Sequence, residues 1–178
     1  MRALSWFDRP VTAPELRLCL SMNRYGERPC VRHAFALVSR LGDGVFWYAL
    51  MAMLPLVNGL AGLQASLHLA LVGLVALCLY RGLKRHTRRP RPFARHRSII
   101  AHVAPLDEFS FPSGHTLHAV GFSLVATHYL PMLAWVLWPF AALVAMSRVV
   151  LGLHYPSDVL AAIVIGLTLA QGSIALVG

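Results

Sequence analysis

Five stretches of this chain are long and apolar enough for a helix to cross a hydrocarbon layer, near 44–61, 64–83, 112–130, 132–151 and 157–176. A crossing takes roughly 20 helical residues. Lipid offers no hydrogen-bond partners, so a spanning backbone must satisfy its own N–H and C=O groups, and these runs are expected as helices. The expected fold class is therefore all-α: a polytopic membrane helix bundle of five transmembrane helices plus an N-terminal amphipathic segment. Composition agrees. Hydrophobic residues make up 57% of the chain and only 13% are charged, where a soluble domain carries about a quarter. Pro139 falls inside the fourth run, where a kink is tolerated. Trp47, Tyr48, Tyr129 and Trp135 sit near the expected helix ends, as interfacial aromatics do.

The 178 residues are expected to form one domain, 1–178, divided into an interfacial segment at 1–41 and a bundle at 44–176. The segment "PELRLCLSMNRYGERPCVRHAFALVSRLGD" mixes leucine with arginine and cannot span. Leu16, Cys19 and Leu20 share one helical face, which fits a helix lying in the interface; packing as a polar cover on the bundle is the other reading. The opening residues lack the uninterrupted apolar core of a secretory signal. Cys19, Cys30 and Cys78 are odd in number and lack CxxC spacing, so no disulfide framework is expected.

The connections are unequal. "NGLAGLQ" and "YLPM" are short and uncharged, whereas the N-terminal segment, the long 84–111 connection and the 152–156 turn meet on the opposite face with the Lys and Arg residues. The net charge of +9 therefore points to anionic headgroups and phosphates as partners, and not to nucleic acid.

Three polar clusters share that basic face. "KRHTRRPRP" (84–92) leaves the second run, "PSGH" (112–115) enters the third, and "SRVVLGLHYPSD" (147–158) joins the fourth to the fifth. Lys84, Arg91 and Arg148 are cations; with the Ser113 hydroxyl and backbone N–H groups at a helix start they suit a multi-oxygen anion. Gly114, lacking Cβ, permits close backbone approach. Two histidines, His115 and His154, suit a reaction needing a nucleophile and a proton donor near neutral pH. Asp158 is placed to orient one imidazole. The inventory reads as phosphoryl transfer through a phosphohistidine.

Taken together, Lys84 with Arg91-Pro92 seven residues on, Pro112-Ser113-Gly114-His115, and Ser147-Arg148 with His154 and Asp158 at their spacings resemble the three-part signature of the type 2 phosphatidate phosphatase superfamily, in its short bacterial form. The resemblance runs from Gly42-Asp43-Gly44 to the end of the fifth run. It implies an integral-membrane lipid phosphatase, a hydrolase of a phosphate monoester or diphosphate on an amphiphilic lipid: polyprenyl diphosphate (such as undecaprenyl diphosphate), phosphatidylglycerol phosphate, phosphatidate or a phosphorylated glycolipid. By the same resemblance His154 is the nucleophile, Asp158 its orienting carboxylate, and His115 the general acid and then base. Lys84, Arg91, Ser113, Gly114 and Arg148 bind the phosphate, and no metal or other cofactor is implied. The family commonly has six spans, one more than expected here.

Other readings compete for single residues. Arg85, Arg88, Arg89, Arg95 and Arg97 read as a headgroup-binding patch. His118 shares a face with His115, but no further ligands have zinc spacing, so it reads as a packing residue. His33, His68, His86, His96, His102 and His128 read as structural or surface groups, Asp107 and Glu108 as loop-solvating, with contact to a substrate headgroup as the lesser reading, and Asp43 as a helix cap. A lipid-to-lipid phosphotransferase would share every catalytic residue. A transporter is disfavoured because charge is absent from mid-membrane positions. Charge retention puts the basic face on the cytoplasmic side of a bacterial inner membrane, whereas the resemblance points toward the periplasm.

Overall fold

The computed structural model describes residues 11–177. The first ten residues, which include most of the opening stretch compared above with a signal sequence, lie outside the described residues. The architecture is all-helical: α1 (Ala13–Tyr25), α2 (Pro29–Arg40), a π-helical turn (Leu41–Val45), α3 (Phe46–Thr87), the short α4 (Pro92–Arg95), α5 (Gly114–Tyr129), α6 (Ala134–Val150) and α7 (Pro156–Val177). Among the described residues, extended pairing is limited to one bridge between Pro90 and Phe109.

The expected first two spans are continuous in helical assignment through α3, yet they fold back on each other. Gly59 sits at φ 57°, ψ −132° inside α3, a left-handed conformation open to glycine. Ser66 Oγ donates to Met51 O at 2.7 Å. Fifteen residues of straight helix would separate these groups by roughly 22 Å, so α3 is a hairpin whose arms, 46–58 and 60–87, lie side by side. Among the described residues, three helical stretches are long and apolar enough to cross a membrane: Pro29–Thr87, Pro131–Val150 and Pro156–Val177. α5, at 16 residues, is shorter than the expected 112–130 span, and α6 is a single helix through Pro139.

α5 is the central element, packed against α3, α6 and α7. Its buried face is largely small, with Ala119, Gly121, Ser123 and Ala126, which lets neighbouring backbones close in where lipid gives no hydrophobic drive. Around it Leu69, Val72, Phe122, Val125, Leu137 and Val144 form the core. Trp47 belongs to that core at 2% exposure, a correction to its expected interfacial place: it stacks on Phe46, Phe122 and Phe140. Tyr48 and Trp135, by contrast, are 70% and 87% exposed.

α1 turns its Leu16–Cys19–Leu20 face onto protein, against Ile99, Val149 and Tyr155. The buried Asn23 amide staples it there, donating to Ile100 O (2.9 Å) and Val150 O (3.1 Å) while its Oδ1 accepts from Ile100 N (2.9 Å).

Candidate active site

The three polar clusters converge at one end of the bundle. α3 stops at Arg88, whose left-handed backbone (φ 47°) caps the helix by donating to Lys84 O. The chain then runs back beside 107–110. Lys84, 6% exposed, donates from Nζ to both Asp107 carboxylate oxygens (2.8 and 2.9 Å) and to Phe109 O (2.9 Å). Arg91 donates from Nη2 to Asp107 Oδ1 (2.7 Å), from Nε to Asp107 O (2.9 Å) and from Nη1 to Leu153 O (2.8 Å). These are charge-assisted bonds, the strong kind, and they hold two cations a side chain apart.

The spacing from Arg148 to His154 is a helix C-cap. Arg148 O accepts from both Leu153 N (3.0 Å) and His154 N (3.1 Å). The reversal passes through Gly152 at φ 75°, where a Cβ would stand 2.3 Å from Ile100 O. Six residues after Arg148, the chain has therefore come back over the end of α6 with the imidazole beside the guanidinium. Arg148 is 2% exposed; its Nη1 donates to Ser39 Oγ of α2, and its Nε has no hydrogen-bond partner.

The two nitrogens of His154 have different neighbours. Nε2 lies 3.3 Å from Arg91 Nη1. A guanidinium only donates, so Nε2 carries the lone pair and the proton resides on Nδ1. Nδ1 faces Asp158 Oδ2 at 3.7 Å, longer than a hydrogen bond, and makes no hydrogen bond of ordinary geometry; the Ser110 backbone lies near the ring and favours its protonated form. Asp158 is fully buried; Oδ2 accepts from Tyr155 N (2.9 Å) and Oδ1 from Arg89 Nη1.

A cavity of about 830 Å³ joins these groups. Lys84, Arg91, Gly114, His115, Arg148 and His154 line its polar end, while Trp47, Met51, Ala70, Leu74, Leu77 and Phe122 line an apolar branch between the arms of α3. Two expected site residues stand behind the wall. Ser113 is fully buried, its hydroxyl paired with Thr116 Oγ1 (2.9 Å) and its N–H with Asp158 O (3.3 Å); Asp158 sits behind His154. A Cβ at Gly114 would first meet the Tyr80 ring, at 3.4 Å, and Gly114 itself lines the cavity. His118 bridges Gly114 O and Gly73 O, both at 3.1 Å.

Electrostatics follow the geometry. Burial drives the His154 imidazole well below its ordinary range, and the positive charges of Arg148, Arg91 and Lys84 push the same way. The ring is thus held neutral. Burial pushes the Asp107 carboxyl up, but hydrogen bonds and attraction from Lys84 and Arg91 outweigh it and hold Asp107 below the usual carboxylate range.

Three participants are not evident from sequence. Asp43 is no helix cap: it lies in the π-turn, with Oδ1 3.3 Å from His115 Nε2. Asp107 does not merely solvate a loop; it occupies the Lys84–Arg91 pair. Arg89 leaves the basic patch and turns inward to Asp158. The signal available was adjacency: Arg89 and Asp107 lie within a few residues of a signature position, and Asp43 sits in the Gly42-Asp43-Gly44 stretch where the resemblance begins.

Comparison with known proteins gives a consistent family. A family model described as PAP2 superfamily matches residues 65–178, well over half of the chain. Over 80 residues the chain is 38% identical to undecaprenyl-diphosphatase BcrC of Bacillus subtilis (44% of this chain, 40% of that one). Over 88 residues it is 35% identical to decaprenylphosphoryl-5-phosphoribose phosphatase of Mycobacterium tuberculosis (48% and 46%). It spans less than half the length of these two relatives. Lipid A 1-phosphatase of Rhizobium johnstonii is 29% identical over 161 residues (76% and 64%). The fold superposes on Aquifex aeolicus LpxE with TM-score 0.81 at 25% identity, covering 92% of this chain and 96% of that one. A Bacillus subtilis PAP2-type phosphatidylglycerolphosphate phosphatase gives TM-score 0.75 at 24% identity, covering 93% and 87%.

Proposed function

Because the chain belongs to the PAP2 superfamily, we propose that it is a membrane lipid phosphatase working through a phosphohistidine on His154. The observation that carries this is the environment of His154: a buried, neutral imidazole whose lone-pair nitrogen, Nε2, faces the cation cluster. The substrate phosphate sits among Lys84, Arg91 and Arg148 against the N-terminus of α5 at Gly114, whose first N–H groups fall outside the helical ladder. Ser113 supports that terminus from behind.

Nε2 forms a bond to phosphorus as the P–O bond to the lipid breaks, and His115 gives its proton to the leaving oxygen. The cations offset the charge that develops on the phosphoryl oxygens. Water then attacks phosphorus and loses a proton to His115; the N–P bond breaks and orthophosphate leaves. Asp158 orients the Nδ1–H edge of His154 throughout, and Asp43 holds the His115 ring.

The substrate is an amphiphile, a lipid phosphate or diphosphate of the polyprenyl, phospholipid or glycolipid type. Its tail takes the apolar branch, which from Lys84 to Ala70 follows about 14 residues of helix, roughly 21 Å. The chain makes five crossings: the two arms of α3, then α5, α6 and α7. The back-folding bond between Ser66 and Met51 supports that count. Charge retention favours the cytoplasmic face of the inner membrane for the site. Cys30 is exposed on the N-terminal segment, so its labelling in intact cells by a membrane-impermeant thiol reagent would reverse that orientation.

Phosphate release from a panel of these lipids is the test. Wild-type protein should retain an acid-labile label from ³²P-lipid, and His154→Ala should release no phosphate and retain no label. An active His154→Ala protein overturns the proposal.

A further inference from the structure

The first turn of α1 reaches the back of the proposed catalytic pair. Glu15 Oε1 accepts from Ser157 N (3.1 Å) and from Ser157 Oγ, and it lies 3.7 Å from Arg89 Nη2. Arg89 Nη1 donates in turn to Ser157 Oγ (2.8 Å) and to Asp158 Oδ1. Its guanidinium stacks on the Tyr155 ring, 4.4 Å from the centroid. The side chains of Glu15 and Arg89 are only 15% and 11% exposed. A continuous chain of groups therefore runs from Glu15 through Ser157 and Arg89 to Asp158, and from there to His154. Neither Arg89 nor Glu15 lines the cavity, and Glu15 lies outside the segment matched by the family model, 65–178.

A carboxylate taken fully out of water needs a partner cation or several donors. Asp158 accepts from Tyr155 N and from Arg89 Nη1, the Ser110 hydroxyl adds a further hydrogen bond, and His154 stands at 3.7 Å. Arg89 is thus the cation that anchors the buried carboxylate through Oδ1, and with Tyr155 N on Oδ2 it fixes the carboxylate plane whose Oδ2 faces Nδ1 of His154. Planar and stacked, it does this with a fixed fork that lysine lacks. Glu15 limits how far Arg89 can move.

Resting on the phosphohistidine reading above, we infer that Arg89 is a positioning residue for the Asp158–His154 pair and that α1, through Glu15, is part of the catalytic apparatus and not a membrane-surface ornament. Phosphoryl transfer to Nε2 leaves the imidazole positively charged, and the carboxylate behind it is where that charge is balanced. Loss of Arg89 or Glu15 therefore slows turnover while substrate binding, which uses Lys84, Arg91 and Arg148, is left in place.

The test uses the full chain in detergent, with steady-state phosphate release and ³²P trapping on the most active lipid of the panel. Arg89→Gln should lower kcat about 30-fold, within the range of losses at such supporting positions, with KM changed less than about threefold. Arg89→Lys should recover part of the rate. Glu15→Gln, nearly isosteric, should lower kcat about fivefold with KM unchanged. In an Asp158→Asn background both substitutions should cost less than about twofold, because residues acting as a unit are not additive. Wild-type kcat in Glu15→Gln, or losses that persist undiminished beside Asp158→Asn, overturn the inference. If Arg89→Gln does not fold, the Glu15→Gln cycle decides alone. Activity surviving in His154→Ala would instead undo the underlying phosphohistidine reading, so the two failures are distinct.

Discussion

Two buried histidines differ in how their surroundings treat the ring, one tied at both nitrogens and the other, the proposed nucleophile, at neither as firmly. His68, in the second arm of α3, is 5% exposed, and both its nitrogens are met at 3.0 Å by hydroxyls, Tyr129 OH and Ser173 Oγ. Ser173 Oγ donates to Ala170 O (2.8 Å), so it accepts from His68 Nε2–H while Tyr129 OH donates to Nδ1; both nitrogens are satisfied and three helices are tied together. His154 is 1% exposed, yet its Nδ1 is left without a hydrogen bond of ordinary length. A buried polar group in that condition costs stability. Cost at one end of the bundle and full satisfaction at the other is the pattern expected where a site is organised for chemistry.

The comparison breaks most sharply at His154 itself. His154→Ala should reduce phosphate release by at least about 10⁴-fold, the scale seen when a nucleophile is deleted, with lipid binding retained in a pull-down on substrate-bearing nanodiscs. Asp158→Asn should follow at roughly 10³-fold in kcat with KM little changed, by analogy with loss of a triad carboxylate. Asp107→Asn comes next and in the opposite sense. Its carboxylate occupies the cations that the phosphate would take, so removing that competitor should lower KM about threefold at constant kcat. His68→Phe should be the smallest: about 1 kcal/mol of stability, as interhelical hydrogen bonds contribute in membranes, read as a shift in thermal unfolding in detergent with kcat and KM within twofold. A large kinetic loss there would erase the distinction drawn between the two histidines.

Asp107 also adds a pH signature. Its carboxyl is held below the usual range in the folded protein, so its pairing with Lys84 and Arg91 stabilises the fold above the unfolded value, about 3.9. That contribution is lost as pH falls below about 4 through the lowered folded value. The side chain is 41% exposed, so the contribution is screened and amounts to less than about 1 kcal/mol. Thermal unfolding followed from pH 5 to pH 3 should steepen in the wild type relative to Asp107→Asn.

Much of the site was legible because its parts are local devices. The interval from Arg148 to His154 is one helix cap, Lys84 and Arg91 flank one helix end, and Gly114-His115 open one helix. What stayed illegible was whatever depends on a partner far along the chain. Arg89 is one arginine in a run of similar ones, and nothing in that run tells which turns inward. Glu15 meets Ser157 across a separation of 142 positions. Trp47 sits beside an apolar run's end, where lipid interfaces and helix contacts call for the same residue type.

The sequence by itself determined that the chain is a helical membrane protein with its cations, imidazoles and one carboxylate gathered at a single end of the bundle, because apolar run length and helix direction are set residue by residue. Only the tertiary structure decided that α3 doubles back at Gly59, that Asp107 pairs with both Lys84 and Arg91, and that α1 stands behind Asp158. The physical reason is that burial and hydrogen-bond partnership are properties of packed surfaces, and packing joins residues whose separation along the chain carries no signal of their contact.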